Sequence, residues 1–427
     1  MEKQNSRYRW VVFTFVLFTY LLISSQRTAP GLITDQLMSD FHVTAATIGL
    51  LTSMQFFVYT GLQIPMGILA DRFGPNIFLI IGAGLTGLGT IIYSLGNDEF
   101  HLLFARILSG LGDAAIWVNM VLILSQWFKT KEFTQLIGVA AMTGSLGFLL
   151  ATVPFTLLID LLGWRTAFLS MGILLCLCGI LLYFILLKKP KKIFPKEPAD
   201  KRTVKHREKT WVLLRRIFVN RQAWSLFLCH FGLVGTYVGF IGSWAVPFGM
   251  NMYGMTRITA SQLILIGLIG ALIGAPLAGW ISNRFDMIKR PYIVVHILSL
   301  VGWSVFLMFH GNPPLFFLPI LFFIMGLAYG ANALTFAAVR QSFPMKESGI
   351  TSGFANTGGF LSAVLLPSIF GNVLDYFQSV SDSISAGYYY SFITPVIFSI
   401  IGLAGVMTMK EKRKQNTMYV PIHHKKE

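Results

Sequence analysis

Two eight-residue stretches, Gly67-Ile68-Leu69-Ala70-Asp71-Arg72-Phe73-Gly74 and Gly279-Trp280-Ile281-Ser282-Asn283-Arg284-Phe285-Asp286, stand 212 residues apart and share a glycine, a small residue and an Arg-Phe pair in register. Two further echoes lie near the same offset: Ala141-Met142-Thr143-Gly144 matches Ala355-Asn356-Thr357-Gly358, and Pro154 matches Pro367. A chain of 427 residues that repeats itself at half its length is built as two copies of one unit.

The unit is apolar. Hydrophobic residues make up 54% of the chain and charged ones only 12%, against about 25% charged in soluble domains. Lipid offers backbone N–H and C=O groups no partners, so each crossing takes a helix of roughly 20 apolar residues. Hydropathy places crossings over 10–37, 47–70, 77–95, 102–127, 133–162 and 166–187, then over 223–250, 259–281, 292–309, 314–343, 349–377 and 388–409. The expected fold is all-α and integral to the membrane, with twelve transmembrane helices in two pseudo-symmetric six-helix bundles. The N-terminal bundle covers 1–187, a basic linker 188–222, the C-terminal bundle 223–409 and a basic tail 410–427.

Net charge is +16, which in a soluble chain would suggest nucleic acid as partner. Here the basic residues sit in loops, and no nucleic-acid-binding motif accompanies them. From Lys188 to Arg221 there are thirteen Lys/Arg against three Asp/Glu. By the positive-inside rule this linker, both termini and the loops of Arg72, Lys129, Lys289 and Arg340 face the cytoplasm, which requires an even number of crossings. Asp40, Asp98 and Glu99 fall on the other side. The linker segment around Trp211 and Phe218 has the pattern of an amphipathic helix for an anionic leaflet. Cys176, Cys178 and Cys229 lie in apolar runs without metal or redox spacing, and read as packing residues. A monomer in a bacterial cytoplasmic membrane is expected.

The stretch Gly67 to Gly74 resembles the loop between spans two and three of the major facilitator superfamily. Arg106-x-x-x-Gly110-x-Gly112 resembles the family's span-four motif, and the opening of span six at Gly163-Trp164-Arg165 is also similar. The resemblance implies two six-helix halves, secondary transport by alternating access, and a gate built on Gly67, Asp71, Arg72, Gly74 and Arg284. Departures are Asn76, where the family often has a basic residue, and Asn283 in place of a second Asp. The Gly-Pro antiporter motif of span five is missing, because Pro154 is displaced from the glycines at 138, 144 and 147.

A charged side chain at bilayer depth costs about 2.5–3.5 kcal/mol even on the lenient insertion scale. Arg27 lies some 25 Å along span one at about 1.5 Å per residue from Trp10. It resembles the span-one arginine with which organic-anion members of the family hold substrate, and a guanidinium grips a carboxylate through two parallel hydrogen bonds. The competing reading is an interfacial arginine paired with Asp35. Asp113, midway along span four, is the candidate proton carrier: paired with Arg27 it stays ionised, and without that partner it takes a proton. A permanent structural ion pair is the alternative. Arg106 is expected to organise the outer half of the bundle, and His230 to contact substrate or carry protons. Other expected substrate contacts on the family's lining spans are Tyr20, Gln55, Tyr59, Trp117, Tyr237, Tyr329, Asn332 and Asn356. Span seven lacks an arginine to match Arg27, which favours a monoanion over a sugar phosphate.

No nucleotide loop, zinc motif or paired nucleophile and base is present, so no enzymatic activity, metal or cofactor is expected. The sequence thus points to secondary transport of a small carboxylate-like anion, by proton symport or exchange. A proton-driven exporter of amphipathic compounds and a non-transporting sensor are the rival readings.

Overall fold

The computed structural model describes residues 6–189, 210–381 and 383–411, and among these there is no strand. Twelve helical segments are long and apolar enough to cross a bilayer: Tyr8–Leu32, Ala45–Gln63, Pro75–Leu95, Glu99–Trp127, Met142–Leu162, Trp164–Lys188, Arg221–Ile241, Arg257–Phe285, Lys289–Met308, Phe317–Ser342, Ile350–Ser381 and Ile384–Thr408. They are spans one to twelve below. Each overlaps an expected crossing, with ends displaced by up to nine residues, as at 250 against Ile241 in span seven; several helix ends are set by polar caps and turn residues rather than by hydropathy. Asp98 accepts the His101 N–H at 2.8 Å to start span four, and Thr256 caps the helix Arg257–Phe285. Gly74 ends the helix Ala45–Phe73 at φ 89°, a backbone setting natural only to glycine, and Pro75 opens the next helix. The side chains of Asp71 and Arg72, and the packing of Gly67, lie outside what the structure describes. Arg284 is exposed in the last turn of its helix.

Span two lies along span eleven, and span five along span eight. Spans two and eight, like five and eleven, are copies of one another, so these are one contact made twice about a pseudo-two-fold axis. The halves meet firmly at the end that carries Asp35, Asp40, Asp98, Asp160 and Asp375, the acidic end. There Asp375 of span eleven accepts the backbone N–H groups of Ala45 and Ala46 at 3.0 and 2.6 Å, capping span two from across the interface. Arg257 reaches Asp35 at 2.6 Å and Asp160 at 3.3 Å, and Thr34 donates to the Ser243 carbonyl at 3.1 Å. Ser53 bonds Val364 and Ser368. A Cβ on Gly49 would collide with the Pro367 carbonyl, and one on Gly371 with the carbonyl of Ala45. Gly353, about five turns before Gly371 and so on the same helix face, has nothing of the described residues within 4 Å of an added Cβ. One face of span eleven therefore touches span two at the acidic end and stands clear of it toward the basic end.

The linker helix Thr210–Val219 is tied to the C-terminal bundle. Ile217 is buried, Phe218 packs edge-on against Phe354 at 5.1 Å, and Arg216 pairs with Glu347 at 2.5 Å. The rest of the linker, 190–209, and the tail from 412 lie outside the described residues.

Gly49→Val is expected to pry this seam apart. With Cys176, Cys178 and Cys229 replaced, a cysteine at Ser368 should react with an impermeant maleimide several-fold faster in that variant than in its parent. An unchanged rate would mean that the glycine contact does not hold the end shut.

Candidate functional site

Spans one, four, seven and ten are each interrupted. Span one passes into a 3-10 turn at Ala29–Leu32, span four breaks at Ala115 between two helices, and span seven contains the π-helical turn Phe231–Gly235. Span ten breaks at Ala331 and Asn332. Irregular backbone at membrane depth is tolerated where it packs on protein or lines a cavity, and in transporters such breaks frame the binding site.

Arg27 and Asp113 meet at this level. Arg27 Nε donates to Asp113 Oδ2 at 2.8 Å and Nη2 to Oδ1 at 2.6 Å, a two-bond grip between side chains exposed by only 8% and 1%. The guanidinium faces the rings of Tyr59 and Phe148, with its carbon 5.0 and 6.0 Å from their centroids. Gln55 Nε2 donates to Asp113 Oδ2 at 3.5 Å and to Gln26 Oε1 at 3.4 Å. Tyr20 and Trp117 pair at 5.5 Å. Arg27, Asp113, Gln55, Tyr59, Tyr20 and Trp117 thus converge in the N-terminal half. The competing reading of Arg27 as an interfacial arginine met by headgroups or by Asp35 does not hold for Asp35, which pairs with Arg257 at the acidic end.

The C-terminal half contributes a separate set. Tyr329 of span ten lies within electrostatic range of Arg27 and Tyr20 across the midline. Tyr237 stacks on it at 4.8 Å and is 2% exposed, with its hydroxyl turned toward Gly267 of span eight, so it is a packing partner of Tyr329. Asn332 donates its amide to the Tyr329 carbonyl at 2.8 Å. His230 is knitted into the core of this half: its Nδ1 lies 3.0 Å from Thr335 Oγ1, which also meets the Tyr292 hydroxyl at 2.6 Å, and Asn356 is its neighbour. The structure does not bring His230 to Arg27.

Gln26, a polar residue of span one that the sequence also marks as a possible lining residue, meets Gln55 here. Two features escaped the sequence. Phe148 looks like any phenylalanine of a glycine-rich span. Arg257, Asp160 and Asp375 resemble ordinary charges at helix ends and reveal a cross-bundle role only in three dimensions. Arg106 is 2% exposed and donates through Nε to the Leu51 carbonyl at 3.2 Å, joining spans four and two on the acidic side of the site.

A twelve-span bundle with broken central helices and a buried charge pair among them is the architecture of an integral membrane transporter. The profile of the Major Facilitator Superfamily matches residues 16–367, and the chain belongs to that family, whose members move solutes and are not enzymes. It is 24% identical over 412 residues to an uncharacterized transporter of Bacillus subtilis, covering 94% of this chain and 90% of the relative. A probable hexose phosphate transport protein of Chlamydia muridarum is 23% identical, with 87% of this chain and 86% of the relative covered. Among solved structures, a bacterial homolog of the human lysosomal transporter Spinster, inward-facing and unoccupied, superposes with a TM-score of 0.76 at 16% identity. It covers 95% of this chain and 98% of its own. That likeness is one of fold.

Removing either partner of the buried pair strands the other. Arg27→Ala and Asp113→Asn are each expected to lower stability, by about 3–5 kcal/mol where a full charge is left unpaired. The double variant should lose less than the sum of the two. Thermal unfolding in detergent checks this, and additive losses would show that the pair contributes no coupling.

Proposed function

We propose that this protein is a secondary transporter that carries a small carboxylate-like anion by alternating access. The carrying observation is the two-bond Arg27–Asp113 pair among the broken spans. An arginine that already presents both donors to one carboxylate is shaped to present them to another. When a substrate carboxylate takes Arg27, Asp113 loses its partner, and an unpaired carboxylate at that depth is costly enough that a bound proton is the cheaper state. Cargo and proton then travel together, or two anions exchange over Arg27. The hexose phosphate relative, named for an anionic cargo, supports the charge class. The arginine of span seven, Arg221, is exposed at the first position of that span and none stands at the depth of Arg27, which favours a monoanion.

The basic linker and loops place the splayed end toward the cytoplasm by the positive-inside rule, with both termini on that side. In this reading the conformation is inward-facing and the acidic end is the outer gate. A monomer in a bacterial cytoplasmic membrane completes it. The gating roles of Asp71, Arg72 and Arg284 belong to the closure of the cytoplasmic end.

Uptake of small acids by proteoliposomes containing this protein alone tests the reading. Arg27→Lys and Arg27→Ala should abolish uptake. Asp113→Asn should keep exchange of labelled for unlabelled substrate while losing accumulation driven by a pH gradient. Unchanged acid uptake in Arg27→Ala would sink the proposal, and flux of amphipathic cations in that variant would move the assignment to an exporter.

A further inference from the structure

The charge pair and the aromatic residues beside it form two layers along the transport axis. Tyr20 precedes Arg27 by two turns of span one, and Trp117 follows Asp113 by one turn of span four, about 10 and 6 Å along their axes. The two spans run in opposite directions, so both rings lie on the same side of the ion pair, the side that opens toward the basic end. Their contact at 5.5 Å makes one aromatic shelf below the charge layer. From the other half Tyr329 stands within electrostatic range of Tyr20 and Arg27, backed by Tyr237 stacked at 4.8 Å and 21°, and Phe360 closes against Tyr59 at 4.6 Å. Trp117, Tyr329 and Phe360 are only half-buried and keep free ring surface.

Several polar side chains at this level already have partners. Gln55 donates to Asp113 and Gln26, Asn332 to the Tyr329 carbonyl, and His230 is bonded to Thr335. The atoms left without a partner on spans one, two and four here, Ser24 Oγ, Ser25 Oγ, Gln55 Oε1 and Asn119 Oδ1, belong to fully buried side chains, whereas the half-exposed surface is that of Trp117, Tyr329 and Phe360, and ring faces offer few of the partners that a chain of hydroxyls needs once out of water. The second buried arginine, Arg106, stands about two turns from Asp113 on the acidic side, where the halves are pressed together, so among the described residues Arg27 is the one buried arginine next to the aromatic shelf.

On the basis of the anion reading above, we propose that the cargo is an aromatic monocarboxylate, with its carboxylate on Arg27 and its ring on the shelf of Tyr20, Trp117 and Tyr329. The 6–10 Å between layers, from the helical rise, suits a ring one or two carbons from the carboxylate. Polyhydroxylated acids fit the charge and leave their hydroxyls unpaired against ring faces.

The test is binding of phenylacetate, acetate, gluconate and phenethylammonium to the full chain in nanodiscs, by calorimetry. Phenylacetate should bind about tenfold or more tighter than acetate or gluconate. That preference should shrink in Trp117→Ala and Tyr329→Leu and persist in Trp117→Phe, while Arg27→Gln loses all three acids. Size-exclusion profiles show that each variant is folded, and a second shelf variant stands in for any that is not. Equal affinity for gluconate and phenylacetate overturns the aromatic proposal and leaves the anion reading in place. Binding of phenethylammonium in preference to every acid, unaffected by Arg27→Gln, overturns both.

Discussion

A charge cannot be left alone in the middle of a bilayer, and the architecture of this protein is arranged around that constraint. Arg27 and Asp113 come from spans whose apolar neighbours offer them nothing, so each needs the other. The two hydrogen bonds between them fix the rotation of span one against span four. Tyr59 and Phe148 flank the guanidinium, and Gln55 and Gln26 occupy the remaining polar edge. Under the proposed function, the groups that keep this site intact are the same ones that would have to part for cargo to bind, so stability and activity would draw on one interaction.

The second constraint is that two halves must separate at one end while staying together at the other. At the acidic end they meet through backbone as much as side chain: the Gly49 contact with Pro367, the Gly371 contact with Ala45, and the N–H groups of Ala45 and Ala46 on Asp375. Close packing of small residues is how helices associate where no hydrophobic effect drives them. Contact of this kind is lost over a small separation, so the seam is either engaged or open, with little in between.

The fold was legible because hydropathy at this length admits few alternatives, and the Gly67 and Gly279 repeats fixed the division into halves. Arg27 and Asp113 stood out for a related reason, since charge in an apolar run is too costly to be incidental. Facing was not legible. Tyr237 and Tyr329 look equivalent in sequence, yet Tyr329 keeps a half-exposed face and Tyr237 is buried against it. His230 has the chemistry of a proton carrier and is placed in a different polar cluster, with Thr335 and Tyr292. Which side of a helix points inward depends on neighbours far away in sequence, and no local pattern encodes it. The outer contacts of Arg257 and Asp375 were hidden because charges at helix ends are common and mostly solvated.

The acidic end is held by two latches of unlike physics. Arg257 with Asp35 and Asp160 is a contact between full charges near water, which mobile ions weaken. Asp375 on the start of span two is a carboxylate against fixed amide dipoles at short range, bonded directly to two N–H groups. Raising ionic strength loosens the first far more than the second. The acidic end therefore carries a salt-sensitive clasp beside a salt-tolerant one, so its tightness follows the ionic strength around it while the seam keeps its alignment.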